Sequence, residues 1–175
     1  MTRRYGPVGK FLHWAIAMHM IGLIALGWWM VELTYYSPWY TLAPWLHKAF
    51  GVVVFVLGIA LVAWRARAPE KRHVGHSAFE RVASASAQGV MIVCILAIPM
   101  SGYLFTTASG DGIDLFGIAT LPALVPVSET LREAAIDVHV FASYGLLCVI
   151  AAHAAGALKH HFVDRDRTLR DITVG

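Results

Sequence analysis

Four long stretches of this chain are almost free of charge. From Phe11 to Val31, from Val82 to Tyr103 and from Val138 to Leu158 there is no Asp, Glu, Lys or Arg, and from Trp45 to Trp64 there is only Lys48. An α-helix rises about 1.5 Å per residue, so roughly 20 apolar residues cross the hydrocarbon core of a bilayer. Four such runs in 175 residues predict an all-α membrane protein, a four-transmembrane-helix bundle forming one domain over residues 1–175, with helices at about 11–31, 45–64, 82–103 and 138–158. Composition agrees: 58% of residues are hydrophobic and 14% charged, where a soluble domain carries about 25% charged residues. The first run is too long, and lacks the small-residue cleavage pattern, to read as a removable signal peptide.

Between the runs lie a loop from Glu32 to Pro44, a basic stretch from Arg65 to Arg81 broken by Pro69 and Gly75, and a long segment from Phe105 to Ala135. The last reads as a loop ending in a short helix capped by Ser128. Pro99 is placed to kink the third helix. Twelve of the fourteen Lys and Arg residues fall at the amino terminus, in the basic stretch or at the carboxyl end, and only Lys48 and Arg132 lie on the other side. Basic residues are retained on the cytoplasmic face, so both termini are expected to be cytoplasmic, in a bacterial inner membrane crossed four times. Cys94 and Cys148 sit inside apolar runs with no CxxC or Cys/His cluster and read as small buried side chains. Nothing points to nucleic acid.

Nine histidines in so apolar a chain require partners or a ligand. His139 and His153 lie fourteen residues apart on the fourth helix. At about 100° and 1.5 Å per residue they share a face to within roughly 40° and stand about 21 Å apart along the axis. Matching depths pairs His139 with His47 and His153 with His13. Two such pairs across a bundle interior are what two bis-histidine haems require. Small residues on the same face of the fourth helix, Ala142, Ser143, Gly156 and Ala157, leave room for a porphyrin. Gly51, Gly58 and Arg65 follow His47 on one face of the second helix. The glycines are read as cofactor room or helix packing, and Arg65 as a propionate partner or a positive-inside anchor. His19 points away from His13 and is expected to bond within the bundle. His73 and His76 belong to the basic loop, and His160 sits at the cytoplasmic interface, a place for a quinone hydrogen bond or an ordinary interfacial ring.

The segments FLHWAIA around His13, WLHKAFG around His47, HVFASYGLLCVIAAHAAGALKHHF from His139 to Phe162, and the pair Trp64-Arg65 resemble the bacterial cytochrome b561 family over nearly the whole chain. The resemblance implies a four-helix bundle with two b-type haems and a third helix without ligands. It assigns His13 and His153 to the iron of the inner haem and His47 and His139 to that of the outer haem. It places His160 near a quinone. It also implies superoxide:ubiquinone oxidoreductase activity. Lys48 and Arg132, as the only basic residues on the outer side, are expected to attract the anion, although Asp111, Asp114, Glu129 and Glu133 oppose them there. The partners expected are the lipid bilayer, ubiquinone as electron acceptor, and superoxide or another small donor. An alternative is a cytochrome b subunit passing electrons between quinone and a hydrogenase- or dehydrogenase-like partner. A transition-metal site or transport path without haem is a further reading of the histidines, but no thiolate or carboxylate accompanies them.

Overall fold

A computed structural model describes residues 6–67 and 77–173. Four long helices, α1 (Pro7–Val31), α2 (Leu42–Arg67), α3 (Ala78–Thr106) and α4 (Glu129–Phe162), are each long and apolar enough to cross a membrane. A hairpin of β1 (Ile113–Leu115) and β2 (Ala119–Leu121) lies between α3 and α4, and a short α5 (Thr168–Thr173) follows α4.

Every helix runs past its charge-free segment. Absence of charge marks the stretch that lipid surrounds, whereas the helix ends where capping chemistry ends it. Pro7 opens α1 at a position whose N–H has no intrahelical partner, and Pro44 is tolerated in the first turn of α2 for the same reason. Ser77 and Glu80 close a reciprocal capping box at the start of α3: Glu80 N–H donates to Ser77 Oγ at 3.1 Å and Ser77 N–H to Glu80 Oε2 at 3.0 Å. Ser128 caps as expected, accepting from Leu131 N–H at 3.3 Å, but the short helix expected there is the first part of α4 itself. Glu129, Arg132, Glu133 and Asp137 keep the helix going outside the apolar span.

The hairpin was not expected, because strands of three residues leave no readable alternation. Its turn carries Phe116 at φ 60° and Gly117 at φ 72°. Gly117 adopts that conformation freely, whereas Phe116 does so against its preference. The Phe116 ring compensates by packing against Phe50 and Trp45 of α2, with ring centroids 5.0 and 5.9 Å apart. The Trp45 indole N–H donates to Asp114 Oδ1 at 2.9 Å, and Gly117 N–H donates to the same oxygen at 2.7 Å. These two bonds hold the Asp114 carboxyl below the usual carboxylate range.

Helix α3 packs along α4, α1 along α2 and α2 along α3, whereas α4 meets α1 only briefly. Leu12, Ile16, Met20, Val54, Leu61, Ile95, Ile98 and Leu146 form the central core. Large apolar side chains such as Phe11, Met18, Val56, Val93 and Phe141 face outward, an arrangement suited to lipid rather than water. The hairpin and the α1–α2 loop share one end of the bundle; the other carries the beginning of α1 and α5. Arg3, Arg4, Pro69, Lys71, Arg72, His73, Gly75 and His76 lie outside the described residues.

Candidate functional site

Near the hairpin end, α2 and α4 present His47 and His139 to one another with ring centroids 6.0 Å apart. Two imidazoles on opposite sides of one iron stand about 6 Å apart, since each metal–nitrogen bond is about 2 Å and each nitrogen about 1 Å from its ring centre. His139 Nδ1–H donates to the Ile98 carbonyl of α3 at 2.9 Å, a bond that fixes the ring and leaves Nε2 as the nitrogen with a lone pair. That carbonyl also accepts from Ser101 Oγ at 2.9 Å. Gly102 makes the approach possible: a Cβ there would lie 3.1 Å from both Cε1 and Nδ1 of His139. On the other side, a Cβ on Gly27 of α1 would lie 3.2 Å from His47 Cε1. Phe105 meets the edge of His139 at 5.4 Å. Thus α3, which has no histidine, still shapes the site through a backbone carbonyl and a glycine.

Near the other end, α1 and α4 present His13 and His153 with centroids 6.4 Å apart. Both pairs draw one ring from α4, and Leu146, almost wholly buried, stands midway between them in sequence. Gly51, one turn after His47, and Gly156, one turn after His153, are half-buried, yet a Cβ on either would meet nothing within 4 Å. Two imidazoles alone leave a metal ion short of ligands, whereas a tetrapyrrole supplies four nitrogens and asks for two axial ones. Among the described residues no group of three or more His, Cys, Asp or Glu gathers as a metal centre. The donor set and the spacing fit a bis-imidazole haem at each level.

The other expected residues divide. Gly58 serves helix packing, with Ile95 Cγ2 2.6 Å from where its Cβ would stand. Arg65 is half-buried at the end of α2 beside Trp64, whose ring lies over Gly9. Lys48 is exposed, but Arg132 is tied to Glu129 at 2.7 Å, which halves the free positive charge expected at the hairpin end. His19 Nδ1–H donates to Ala15 O at 2.7 Å, as its direction on α1 suggested. His160 is buried at 7% exposure, with Nδ1 2.8 Å from Asp164 Oδ2 and 3.3 Å from Asp166 Oδ2. Sequence reading missed Gly27, Ile98, Gly102, Asp164 and Asp166. Only the acidic pair had a visible signal, its position just beyond LKHH.

Four membrane-spanning helices with paired imidazoles at two levels of one helix define the class of membrane-embedded b-type cytochromes. The family model of prokaryotic cytochrome b561 matches residues 4–175. Cytochrome b561 homolog 2 of Escherichia coli is 34% identical over 168 residues, covering 95% of this chain and 89% of its own, and cytochrome b561 homolog 1 of the same organism is 27% identical over 172 residues, covering 95% and 94%. A Yersinia pestis protein named probable superoxide oxidase CybB is 24% identical over 185 residues, covering 97% and 95%. The chain belongs to the prokaryotic cytochrome b561 family and is a multi-pass bacterial membrane protein of electron transfer, a membership that implies b-type haem.

Proposed function

We propose that this protein is a di-haem superoxide:ubiquinone oxidoreductase of the bacterial inner membrane, with the hairpin end periplasmic and both termini cytoplasmic. The observation that carries the proposal is the pair of imidazole sets, 6.0 and 6.4 Å between centroids, at two levels of α4. His47 and His139 would hold one haem and His13 and His153 the other, with Arg65 as the partner of a propionate of the latter. A haem held between two imidazoles would supply one-electron transfer. Two superoxide anions are oxidised to two dioxygen molecules at the hairpin end. One ubiquinone at the opposite end takes up the two electrons and two protons to become ubiquinol. Lys48 attracts the anion, and His160 donates a hydrogen bond to a quinone carbonyl.

The basic residues support this orientation. Lys10, Arg65, Arg67, Arg81, Lys159, Arg165, Arg167 and Arg170 lie at the terminal end, against Lys48 and Arg132 at the hairpin end. The relative named as a probable superoxide oxidase supports the substrate. Purified protein mixed with a superoxide source and ubiquinone is expected to show reduced b-type bands and steady ubiquinol formation. Absence of b-type bands would overturn the haem assignment. Bands that superoxide leaves oxidised, but that a stoichiometric dehydrogenase copurified from the native membrane reduces, would favour the subunit reading.

A further inference from the structure

Within five consecutive residues of α3, Ile98 to Gly102, four bear on one ring of α4. Ile98 and Ser101 are both buried. The Ile98 oxygen accepts from His139 Nδ1–H at 2.9 Å and from the Ser101 hydroxyl, also at 2.9 Å. A helical serine commonly bonds back to a carbonyl about one turn earlier. Here that carbonyl is the one that holds His139. Pro99 follows Ile98, so the shared oxygen belongs to a tertiary amide. The extra carbon on the amide nitrogen pushes electron density onto the oxygen and makes it a stronger acceptor than an ordinary peptide carbonyl. Gly102 lets ring and helix approach, since a Cβ there would stand 3.1 Å from His139 Nδ1.

An imidazole that donates through Nδ1 becomes more electron-rich at Nε2, the nitrogen left to face a metal. Ferric iron carries one more positive charge than ferrous iron, so a more electron-rich axial ligand favours the ferric form and lowers the reduction potential. Outer hydrogen bonds are among the levers by which a protein sets that potential. The proline strengthens the hold of the Ile98 oxygen on His139, and the serine hydroxyl weakens it by drawing on the same lone-pair density. In a buried site both effects are enlarged, because water does not screen them. We infer that Ser101 is a positioning residue for electron entry. By sharing the Ile98 oxygen it limits the electron density on His139 and raises the potential of the hairpin-level haem above the value that the Ile98–Pro99 carbonyl alone would set. The step it favours is the transfer of one electron from superoxide, which leaves as dioxygen, to the iron, which passes from ferric to ferrous. This inference rests on the assignment of His47 and His139 to one haem.

The test is a redox titration of haem-loaded protein followed by difference spectra, with Ser101→Ala, Ser101→Cys and Pro99→Ala beside the wild type. His139→Ala identifies the hairpin-level component, and the terminal-level component of each variant is the internal reference. Ser101→Ala removes one donor and leaves the oxygen bonded to His139, so no buried group loses its last partner. It should shift the hairpin-level haem about threefold toward the ferric form, a fall of about 30 mV at about 59 mV per tenfold for one electron. Ser101→Cys, with its weaker donor, should fall between wild type and Ser101→Ala. Pro99→Ala returns an ordinary peptide carbonyl and should move the same component upward. A merely structural disturbance has no reason to give opposite signs in the two variants. A wild type without a b-type component that His139→Ala removes overturns the haem assignment and the inference with it. Where that component is present, an unchanged or raised potential in Ser101→Ala, its loss from that variant, or a Pro99→Ala potential that falls as well overturns the inference alone.

Discussion

The two imidazole levels are built differently although they share α4. At the hairpin level both rings are pressed by glycines of neighbouring helices, His47 by Gly27 and His139 by Gly102, and His139 is tied to the Ile98 carbonyl. The hairpin packs onto α2 just beyond His47. Among the described residues, no glycine at the terminal level has His13 or His153 among its nearest neighbours. Further toward that end of the bundle lie the Glu80–Lys159–Asp164–His160 charges and α5. The hairpin level is therefore held by steric fit and a backbone hydrogen bond, and the terminal level lies toward the end of the bundle that carries these charges. A site defined by packing holds a cofactor in one geometry, whereas a site beside titratable groups is suited to coupling electron arrival with proton uptake.

The largest expected effect tests whether there are two levels at all. His139→Ala should lower haem content from two per chain to about one, and His153→Ala should remove the other component, since a bis-imidazole iron loses half its axial set in each case. Difference spectra and haem-to-protein ratios measure both. A protein that keeps its full haem complement in either variant breaks the pairing.

Much of this was legible in the sequence because lipid imposes a coarse and strict rule. Charge-free runs exposed the four spans, and one helix repeat gave the shared face of His139 and His153. The pairing with His47 and His13 followed from depth alone. What escaped was whatever depends on contacts between helices. Gly102 is one glycine among fifteen until α4 is laid against α3. The Ile98 carbonyl has no sequence signature, because the chemistry that orients His139 belongs to the backbone. For Gly58 the sequence left cofactor room and helix packing open, because it shares a face with His47 by rotation; α2 turns that region toward α3, and the contact with Ile95 decides for packing. The folded turn that brings Asp164 and Asp166 to His160 depends on Arg165 adopting a conformation that its residue type does not announce.

The next effect sharpens the contrast in packing. Gly102→Ala places a methyl 3.1 Å from two atoms of the His139 ring, so the ring or α3 must give by a few tenths of an ångström. Overpacking of this kind costs about 1–3 kcal/mol. The expected outcome is a shifted or partly lost band for one haem, with the other unchanged. Gly145→Ala, on α4, meets nothing within 4 Å and serves as the control that leaves both bands in place. Equal disturbance of both bands by Gly102→Ala would remove the distinction between the levels.

Charge at the hairpin end predicts a smaller change. Lys48 is exposed, while Arg132 shares its charge with Glu129 at 2.7 Å. Lys48→Gln should slow haem reduction by superoxide about twofold at low ionic strength and by less at 0.1 M salt, where charges beyond about 10 Å are screened. Arg132→Gln should change the rate less, because it also releases Glu129. Stopped-flow rates at two salt concentrations decide this, and an unaltered rate in Lys48→Gln removes steering from the account.

The smallest effect concerns the hairpin itself and shows only in acid. Asp114 has its carboxyl lowered first by the Gly117 amide and then by the Trp45 indole. A carboxylate depressed in the folded state contributes stability in full above its ordinary value of about 4, and that contribution is lost as pH falls through the lower folded value. Docking of the hairpin on α2 should therefore be independent of pH from 5 to 8 and weaken only below about 4. Because Asp114 is fully exposed, the loosening should be local rather than a collapse of the bundle. Trp45 fluorescence against pH should show an acid transition that Asp114→Asn abolishes, and the haem band assigned to His47 and His139 should move with it while the other stays still. If both bands move together, the hairpin is not what distinguishes the enclosed level.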